Sequence, residues 1–456
     1  MGQPMKNRQW IAGEEGTALV ATLILLMAMS VLSTALVFTV QNEMKTSSSY
    51  KYGQQAFYVA DAGVRKAIQW FGDGSNYTPA VGVYPDLSTV PITYSSQPVR
   101  LAGQGANFPV SGVVSSFTSA FHDVALQADG QNSGTYSVGA TLLKYSPASF
   151  INMATFETYP SAMERWRIES TGTWGNPNTP LGRAEITAVI ENSGNALFDR
   201  ALWGIDSLDL GGTVLIDSYD PALGPYGGTN IGDNGAIGSN GAITINGTVE
   251  VHGDAAYGPD GSFGAPDGAV TGDIIQLPAP RTFPPIPEFT VGTGSTTVSN
   301  KKTVTLSPGQ YGDINVNNGG TLALNPGVYY FDSIIAKGEV RLTGDLTKPT
   351  TIFVKSALDL GAQGITNPNG DPTRLNIFYS GTSEMKIHGG PEAFVEVYAP
   401  NAPLKMVGNA AFYGSFIGRS VTVQGTPDVH FDEGCLQENL IQRPFRLMTW
   451  SRDLYQ

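Results

Sequence analysis

The hydrophobic pattern opens with one long apolar run. Residues 17–40 contain no charged side chain, and no other stretch of the sequence is comparably apolar. At a rise of about 1.5 Å per residue, a helix over this run spans roughly 36 Å, enough to cross a bilayer core of about 30 Å. Lys6 and Arg8 precede the run, and positive charge there favours a cytoplasmic N-terminus. The pattern predicts one transmembrane helix over 17–40.

The pattern then continues at helical spacing. Residues 41–71 lack proline, and small or apolar side chains recur along them at steps of three and four residues: Ala56, Val59, Ala60, Gly63, Ala67 and Trp70. We therefore predict a helix over 17–71, with Ser47–Ser49 and Gly53 as the places where it could break. Small side chains along one stripe allow another helix to approach closely.

Strand-like alternation follows the helix. Period-two patterns occupy 135–145, 165–173 and 183–191. We expect these segments to form a small antiparallel sheet on the distal half of the helix, with Trp70 and Trp166 in the shared core. Residues 72–130 are rich in Gly, Ser, Pro and Thr, and we predict irregular structure with short strands there. The whole of 72–197 is thus predicted to be a small β region.

From about residue 200 a short motif repeats. Two apolar residues flank one residue and a glycine follows closely, which places the repeated glycines at Gly247, Gly344, Gly389, Gly408 and Gly425. Glycine supplies backbone corners with positive φ. Imperfect repeats that cannot each bury their own apolar face must stack on their neighbours. The repeats predict a large mainly-β domain over 198–435, with a parallel β-helix favoured and a β-sandwich as the alternative.

Two segments interrupt or follow these repeats. Prolines crowd 278–287, and we interpret this stretch as an extended crossing segment after which the repeats resume. The last residues, 436–456, form a C-terminal tail. Its apolar side chains could cap the last open rung, and they are Leu436, Leu440, Phe445 and Leu447. The fold class predicted for the whole chain is α+β.

Net charge and cysteine content exclude some classes of protein. The 456-residue chain has a net charge of −13, which argues against a nucleic-acid-binding protein because such proteins show a basic patch. The single cysteine, Cys435, excludes an intrachain disulfide and a cysteine-rich zinc site. Low charge with abundant glycine suggests an exported β-rich protein.

Candidate chemistry is sparse. The densest carboxylates, which are Asp206, Asp209, Asp217 and Asp220, are interpreted as solvated turn residues, with a weak calcium site or catalysis as alternatives. The histidines are scattered and are interpreted as sheet or surface residues: His122, His252, His388 and His430. Nothing marks Cys435 as a nucleophile. We predict no catalytic residue, no cofactor and no metal site.

The N-terminal segments carry a family resemblance. GTALVATLILLMAMSVLS followed by QQAFYVADAGVRKAI resembles PilX-type minor pilins, whose A-F-x-x-A-[ED]-A-G signature is met by Ala56, Phe57, Ala60, Asp61, Ala62 and Gly63. The resemblance implies a prepilin leader over 1–16, cut between Gly16 and Thr17. The fifth residue after the cut is Ala21, where major pilins carry glutamate. A secretory signal peptide or an uncut anchor is the alternative interpretation of the run.

A second resemblance lies further along. Residues 408–433 and 198–226 resemble the C-terminal β-helix module that often follows a PilX-type N-terminus. Together the resemblances imply a minor pilin-like subunit of a type IV pilus or pseudopilus, at the tip or in assembly initiation, with a head for surface contact or adhesion. Implied partners are other pilin subunits through the N-terminal helix, prepilin peptidase and the inner membrane, with a surface glycan or a host or solid surface as a further candidate. The implied location is the inner membrane, with a periplasmic head, and then the pilus surface.

Two other classes of function stay open. One is a membrane-anchored glycan-binding module, in which the aromatic strands AFYGSF and IFYSG would stack on sugars if their rings faced outward. The other is a membrane-anchored β-helix enzyme acting on carbohydrate, which would need a set of clustered carboxylates.

Overall fold

In the computed structural model, the structure describes residues 14–128, 131–176, 178–361, 364–388 and 392–455. The chain divides into two compact units. The helix unit consists of 1–145, 164–191 and 445–456, and the stacked unit consists of 146–163 and 192–444.

The helix unit is built on one unbroken helix. It runs over Glu14–Phe71, through both places where a break was considered, and so confirms the long N-terminal helix. A second helix, Ser111–Phe121, lies in the region predicted to be irregular, and that part of the prediction is wrong. Its buried side chains, Val113, Phe117 and Phe121, recur every fourth residue. Three apolar residues spaced this way among serines are enough to anchor a short helix.

A six-stranded sheet contains the three alternating segments. Its strands are Arg100–Leu101, Val124–Ala128, Gln131–Ile151, Thr158–Asn176, Thr179–Ala196 and Leu440–Tyr455. Thr158–Asn176 and Thr179–Ala196 pair antiparallel, with Arg165 opposite Glu191. A separate two-stranded sheet consists of Thr93–Tyr94 and Gln97–Pro98.

Alternation places one face of this sheet in the helix unit's core. Trp166, Ile168 and Ser170 are buried, while the residues between them are partly exposed. The rings of Phe71 and Trp166 lie 5.2 Å apart, and Trp70 packs on Phe71 at 5.1 Å. Both tryptophans are therefore core residues, as predicted.

The C-terminal tail differs from its prediction. Instead of a cap, residues Leu440–Tyr455 form a strand of the six-stranded sheet. Leu440 and Phe445 are buried, whereas Leu436 and Leu447 are exposed. The physical reason is that a segment of this length can pair with the sheet as a strand, which satisfies its backbone groups better than a covering loop does.

The stacked unit contains two sheets of parallel strands. In the part of the chain that the structure describes, fifteen strands form one sheet in which every strand pair is parallel: Leu202–Tyr219, Ile237–Ser239, Ala242–Val251, Ala255–Tyr257, Phe263–Gly264, Ile274–Gln276, Ser295–Val298, Gly309–Val316, Gly327–Ala336, Thr350–Leu360, Leu375–Tyr379, Met385–His388, Glu392–Gly408, Ala411–Gly425 and Asp428–Asp432. A four-stranded parallel sheet consists of Thr303–Leu306, Thr321–Leu324, Glu339–Leu342 and Ile365–Thr366. Short 3-10 helices occupy Pro221–Leu223, Pro372–Arg374 and Glu433–Leu436. A large mainly-β region with parallel strands is confirmed, and its closure into a β-helix stays a prediction.

The strand order in the large sheet is not sequential. Leu202–Tyr219 pairs with Ala242–Val251 on one side and with Ala411–Gly425 and Asp428–Asp432 on the other. The first repeats therefore stack on the last one. Ile274–Gln276 is the strand at one edge of the large sheet, and Ser295–Val298 is the strand at the other edge. Residues 277–294, which contain the proline-rich stretch, connect these two edges without helix or strand.

Three glycines of the repeated motif align in a column with Gly212, which ends the strand segment 208–212 in the same way. Gly408 pairs with Gly425, Gly425 with Gly212, and Gly212 with Gly247. All four have positive φ, between 90° and 112°. A residue with a side chain would be strained in that backbone conformation. Glycine at these aligned positions therefore lets the stacked strands turn at equivalent points. Gly247, Gly408 and Gly425 therefore have the role that the motif predicted, and Gly212, which was not among the predicted glycines, joins them. Gly344 also has positive φ, at 83°, and Gly389 lies outside the described residues.

Candidate functional site

The first half of the long helix presents an apolar surface. Residues 17–50 are all exposed, and an 18-residue window of this segment has a mean hydropathy of 2.4. By length and composition the helix could cross a membrane. The hydroxyl groups of Thr22, Thr34 and Thr39 donate to carbonyl oxygens four residues earlier, so these polar groups are satisfied within the helix. The surface left over between residues 17 and 40 is apolar and needs a lipid or protein environment.

The expected processing site lies at the start of this helix. Gly16 and Thr17 are in its first turns, and Ala21 is exposed one turn later. Residues 1–13 of the predicted leader lie outside the described residues. Cleavage at this position stays a prediction.

The small residues of the signature face the chain's own sheet. Ala56, Ala60 and Gly63 are buried, and the hydroxyl of Ser170 donates to the Ala60 carbonyl over 2.8 Å. A methyl group on Gly63 would clash with Ser170, and one on Gly172 would clash with the helix backbone. Small residues on both elements therefore bring helix and sheet together. The expectation that this stripe serves helix–helix approach is corrected, because the sheet already covers it.

The other signature residues lie on the flank of the helix. Phe57, Asp61 and Ala62 are half-buried. The Arg452 guanidinium lies 4.3 Å from the centre of the Phe57 ring, a cation–π contact. Asp61 forms an ion pair with Arg65, one helical turn away, at 2.7 Å. The signature thus has a buried small-residue side and a half-buried aromatic and charged side.

Comparison with protein families agrees with this geometry. The family model described as PilX N-terminal matches residues 15–65. Over these residues the chain is similar to the N-terminal segment of PilX-type pilins. A second model, described as a domain of unknown function (DUF7305), matches 290–438. This range includes 408–433 but not 198–226. None of the curated proteins matches the chain.

Three solved structures show remote similarity. The competence-associated pilin ComZ from Thermus thermophilus is 12% identical, with 89% of this chain and 98% of its own covered and a TM-score of 0.26. An ice-binding protein from the Antarctic ascomycete Antarctomyces psychrotrophicus is 14% identical, with coverage of 52% and 98% and a TM-score of 0.27. An ice-binding protein from an Antarctic biological consortium is 12% identical, with coverage of 52% and 90% and a TM-score of 0.23. Similarities this weak support no statement about function.

A buried carboxyl group lies near the end of the PilX-type helix. Glu164 is 1% exposed and accepts a hydrogen bond from the Tyr77 hydroxyl over 2.5 Å and from the Trp166 indole over 3.2 Å. Burial raises the pKa of Glu164 to about 7, although the two hydrogen bonds lower it in part. Sequence analysis missed this residue, because position 164 alternates with partly exposed neighbours as any core residue of this strand does.

The stacked unit contains a buried Asp–His pair that corrects one interpretation. Asp217, interpreted as a solvated turn residue, is 1% exposed, and its Oδ1 lies 2.5 Å from His430 Nδ1. The Tyr226 hydroxyl donates to the other carboxylate oxygen over 2.7 Å, and its ring centre lies 3.8 Å from that of His430. The loop that carries Tyr226 covers the pair, which sequence spacing alone does not show.

The remaining candidate residues are not brought together with this pair. Asp206 and Asp209 are exposed, and Asp220 caps the short helix Pro221–Leu223. The other histidines lie at separate places, where His122 is beside Asp123 at 3.2 Å and His252 is beside Asp233 at 3.5 Å. Among the described residues, no group of three or more His, Cys, Asp or Glu side chains could hold a metal ion.

Cys435 belongs to a second buried polar group. Asn439 donates to Glu396 and, over 2.8 Å, to Asn376. Burial raises the pKa of the Glu396 carboxyl and, with the nearby Glu396 charge, that of the Cys435 thiol. A thiol with a raised pKa in a closed site is a poor nucleophile.

The aromatic strands of the stacked unit face inward. Phe378, Tyr379 and Phe412 are fully buried, and Tyr413 is nearly so. The ring of Phe378 lies 5.2 Å from that of Phe353, in a stacked arrangement inside the unit. These rings pack the core and are not available for stacking on a sugar.

Proposed function

We propose that the chain is a minor subunit of a type IV pilus or related pseudopilus, cut between Gly16 and Thr17 and held in the inner membrane by residues 17–40 until assembly. One observation carries the proposal: a single helix is exposed over 17–50, is apolar over 17–40, and is bound to its own sheet from Ala56 onward. The exposed part suits lipid before assembly and other pilin helices afterwards. The PilX N-terminal match over the same residues supports it.

A tip or initiation position is the finer part of the proposal. Ala21 lacks the carboxylate that the family's major subunits offer to a neighbour, which disfavours bulk polymerisation. The stacked unit adds 146–163 and 192–444 to the pilin part, and a head of that size is difficult to repeat along a crowded fibre. We propose that this head makes the surface contacts of the assembly.

The alternatives receive less support. The glycan-binding hypothesis relied on outward aromatic rings in AFYGSF and IFYSG, and those rings are buried. The enzyme hypothesis needs clustered carboxylates at an accessible surface, whereas the shortest His–carboxylate pair among the described residues, Asp217 with His430, is enclosed. A structural, non-enzymatic role is therefore part of the proposal.

The test is N-terminal sequencing of the full chain from membranes and from sheared surface filaments, in cells with and without prepilin peptidase. We expect a Thr17 start that depends on the peptidase and a low copy number in the sheared fraction. Gly16→Val should abolish the cut, while Gly13→Val, a matched change within the leader, should not.

Three results would contradict parts of this proposal separately. An uncut Met1 start confined to membranes would refute the pilin assignment and leave a tethered head. A cut chain that is absent from sheared filaments would refute its place in the fibre. A copy number equal to that of the main subunit would refute the tip or initiation position.

A further inference from the structure

A cleft in the stacked unit combines aromatic rings with polar side chains. Its volume is about 310 Å³, and it is lined by 154–155, by 287–290 and by three strands of the large sheet at Gln310, Tyr330 and Phe353. All of these residues belong to the stacked unit. The volume is at the small end of the ~300–1,000 Å³ range of small-molecule sites, which suits one ring-sized ligand. We call it the Tyr330 cleft.

A row of aromatic side chains ends in this cleft. Tyr330 is opposite Phe353 in the register of neighbouring parallel strands, and Phe353 is opposite Phe378. The ring of Tyr330 stacks on that of Phe353, with the centres 5.0 Å apart and the planes 12° apart. Phe353 and Phe378 are buried, whereas Tyr330 is partly exposed. Tyr330 is therefore the last ring of the row and the one that a ligand can reach.

The second face of Tyr330 is directed along the cleft. Because Phe353 covers one face, the opposite face is directed at the next strand, where Gln310 is the register partner. Gln310 is exposed and lines the cleft together with Tyr330. The ring of Phe289 is partly exposed too, and its centre lies 5.6 Å from that of Tyr330 at an angle of 41°. Two rings set at an angle form an apolar corner that can hold the C–H face of a ligand.

Polar side chains line the rest of the cleft. Glu288 and Thr155 are exposed, and the Gln310 amide donates to the Thr290 hydroxyl over 3.0 Å. The Glu288 carboxyl group forms no hydrogen bond or ion pair with any described residue. The set contains a carboxyl group that accepts hydrogen bonds, and an amide and two hydroxyl groups that both donate and accept. It therefore suits a ligand with several hydroxyl groups.

The charges disfavour an anionic ligand. Among the described lining residues there is no lysine, arginine or histidine, and Glu288 is acidic. Glu157 adds a second carboxyl group beside the cleft, where it accepts from the Tyr330 hydroxyl over 3.2 Å. A small cation could lie on the rings beside Glu288, but it would leave the amide and hydroxyl groups unused. A sugar uses both parts, because its ring has an apolar C–H face and hydroxyl groups around its edge.

We propose that the Tyr330 cleft binds one pyranose residue of a neutral glycan. The sugar ring stacks on Tyr330 beside Phe289, and its hydroxyl groups form hydrogen bonds with Glu288 and Gln310. The inference rests on the surface-contact role of the head in the proposed function, and it adds a site and a ligand class to that role. It differs from stacking on AFYGSF and IFYSG, whose rings are buried.

The experiment uses the full chain in detergent, with the methyl pyranosides of glucose, galactose, mannose and N-acetylglucosamine as probes. Saturation-transfer difference NMR detects binding, and titration gives the Kd of the probe that binds best. We expect Tyr330→Ala to raise this Kd about tenfold and Glu288→Gln about fivefold, through the loss of a ring stack and of a charge-assisted hydrogen bond. Tyr330→Phe keeps the ring and should bind as the wild type does. Glu392→Gln, an exposed acid of the same unit outside the cleft, is the matched control.

The outcomes separate this inference from the proposed function. If no probe binds, the sugar site is overturned, while the pilin assignment still depends on N-terminal sequencing alone. If a probe binds equally well to the wild type, Tyr330→Ala and Glu288→Gln, the sugar binds elsewhere and the cleft is overturned. If tetramethylammonium binds through Tyr330 and the sugars do not, the cleft takes a cation and the ligand class is overturned. Glu288→Gln keeps the test decisive even if Tyr330→Ala fails to fold, because Glu288 is exposed.

Discussion

Glu164 should make the stability of the helix unit depend on pH. Its carboxyl is buried beside Tyr77 and Trp166, and its pKa is raised by burial to about 7 from an ordinary 4.5. Between these two values the folded chain holds a proton that the unfolded chain has released. The free energy of unfolding therefore falls as pH rises through this window, and the contribution is complete only below about pH 4.5.

The size of the effect follows from the shift. One pKa unit corresponds to about 1.4 kcal/mol, so the shift of Glu164 amounts to about 3 kcal/mol. Because the side chain is 1% exposed, solvent screening takes little from this figure. Glu164→Gln keeps an oxygen that can accept from Tyr77 and Trp166, but it cannot ionise. The variant should equal the wild type near pH 4.5 and exceed it by about 3 kcal/mol above pH 7.

The assay is urea unfolding of the full chain in detergent, followed by tryptophan fluorescence, since Trp166 touches the substituted group. Asp432 of the stacked unit has a pKa raised by burial to about 6 and contributes a slope of the same sign, so the difference between variant and wild type is the quantity to compare. Glu169→Gln, on the same strand but partly exposed and paired with Arg167, is the matched control. A difference between Glu164→Gln and wild type that does not change with pH would refute the reasoning.

Two further predictions concern packing and reactivity. Gly172→Ala places a methyl group against the helix backbone and should lower the free energy of unfolding by about 1–3 kcal/mol, whereas Gly53→Ala meets no atom and should raise it by about 0.5–1 kcal/mol. Urea unfolding measures both, and equal shifts would contradict the close approach of helix and sheet. Cys435 is buried with a raised pKa, so a thiol reagent should modify the folded chain far more slowly than the urea-unfolded chain. Prompt labelling of the folded protein would show that the site is open.

The local pattern of apolar and polar residues was sufficient to predict the type of the main elements. The stripe from Ala56 to Trp70 has the helical period, and the alternation of 165–173 has the period of a strand, so each element's type can be read from its own residues. Ser111–Phe121 was missed because only three apolar residues mark it among serines and small residues. Weak amphipathic signals of this kind become helices when tertiary contacts supply the stabilisation.

The order in which the repeats stack could not be predicted from the local pattern. Gly212, Gly247, Gly408 and Gly425 end equivalent motifs, so any of these repeats can stack on any other at the same register. The sequence therefore predicts stacking but not which repeat is the neighbour of which. The pairing of Leu202–Tyr219 with Ala411–Gly425 joins distant parts of the chain, and no local feature specifies it.

The small-residue stripe was predicted correctly from its spacing, but the element that packs on it is a sheet and not another helix. Ala56, Ala60 and Gly63 have the spacing that lets two helices approach, yet Gly172 and Ser170 of the chain's own sheet cover them. A surface used within the chain is not available to another subunit without unfolding the helix unit. Under the proposed function, neighbouring pilin helices must therefore meet the exposed residues 17–50. Substitutions at the stripe should then impair folding, whereas substitutions within 17–50 should impair assembly in a chain that still folds.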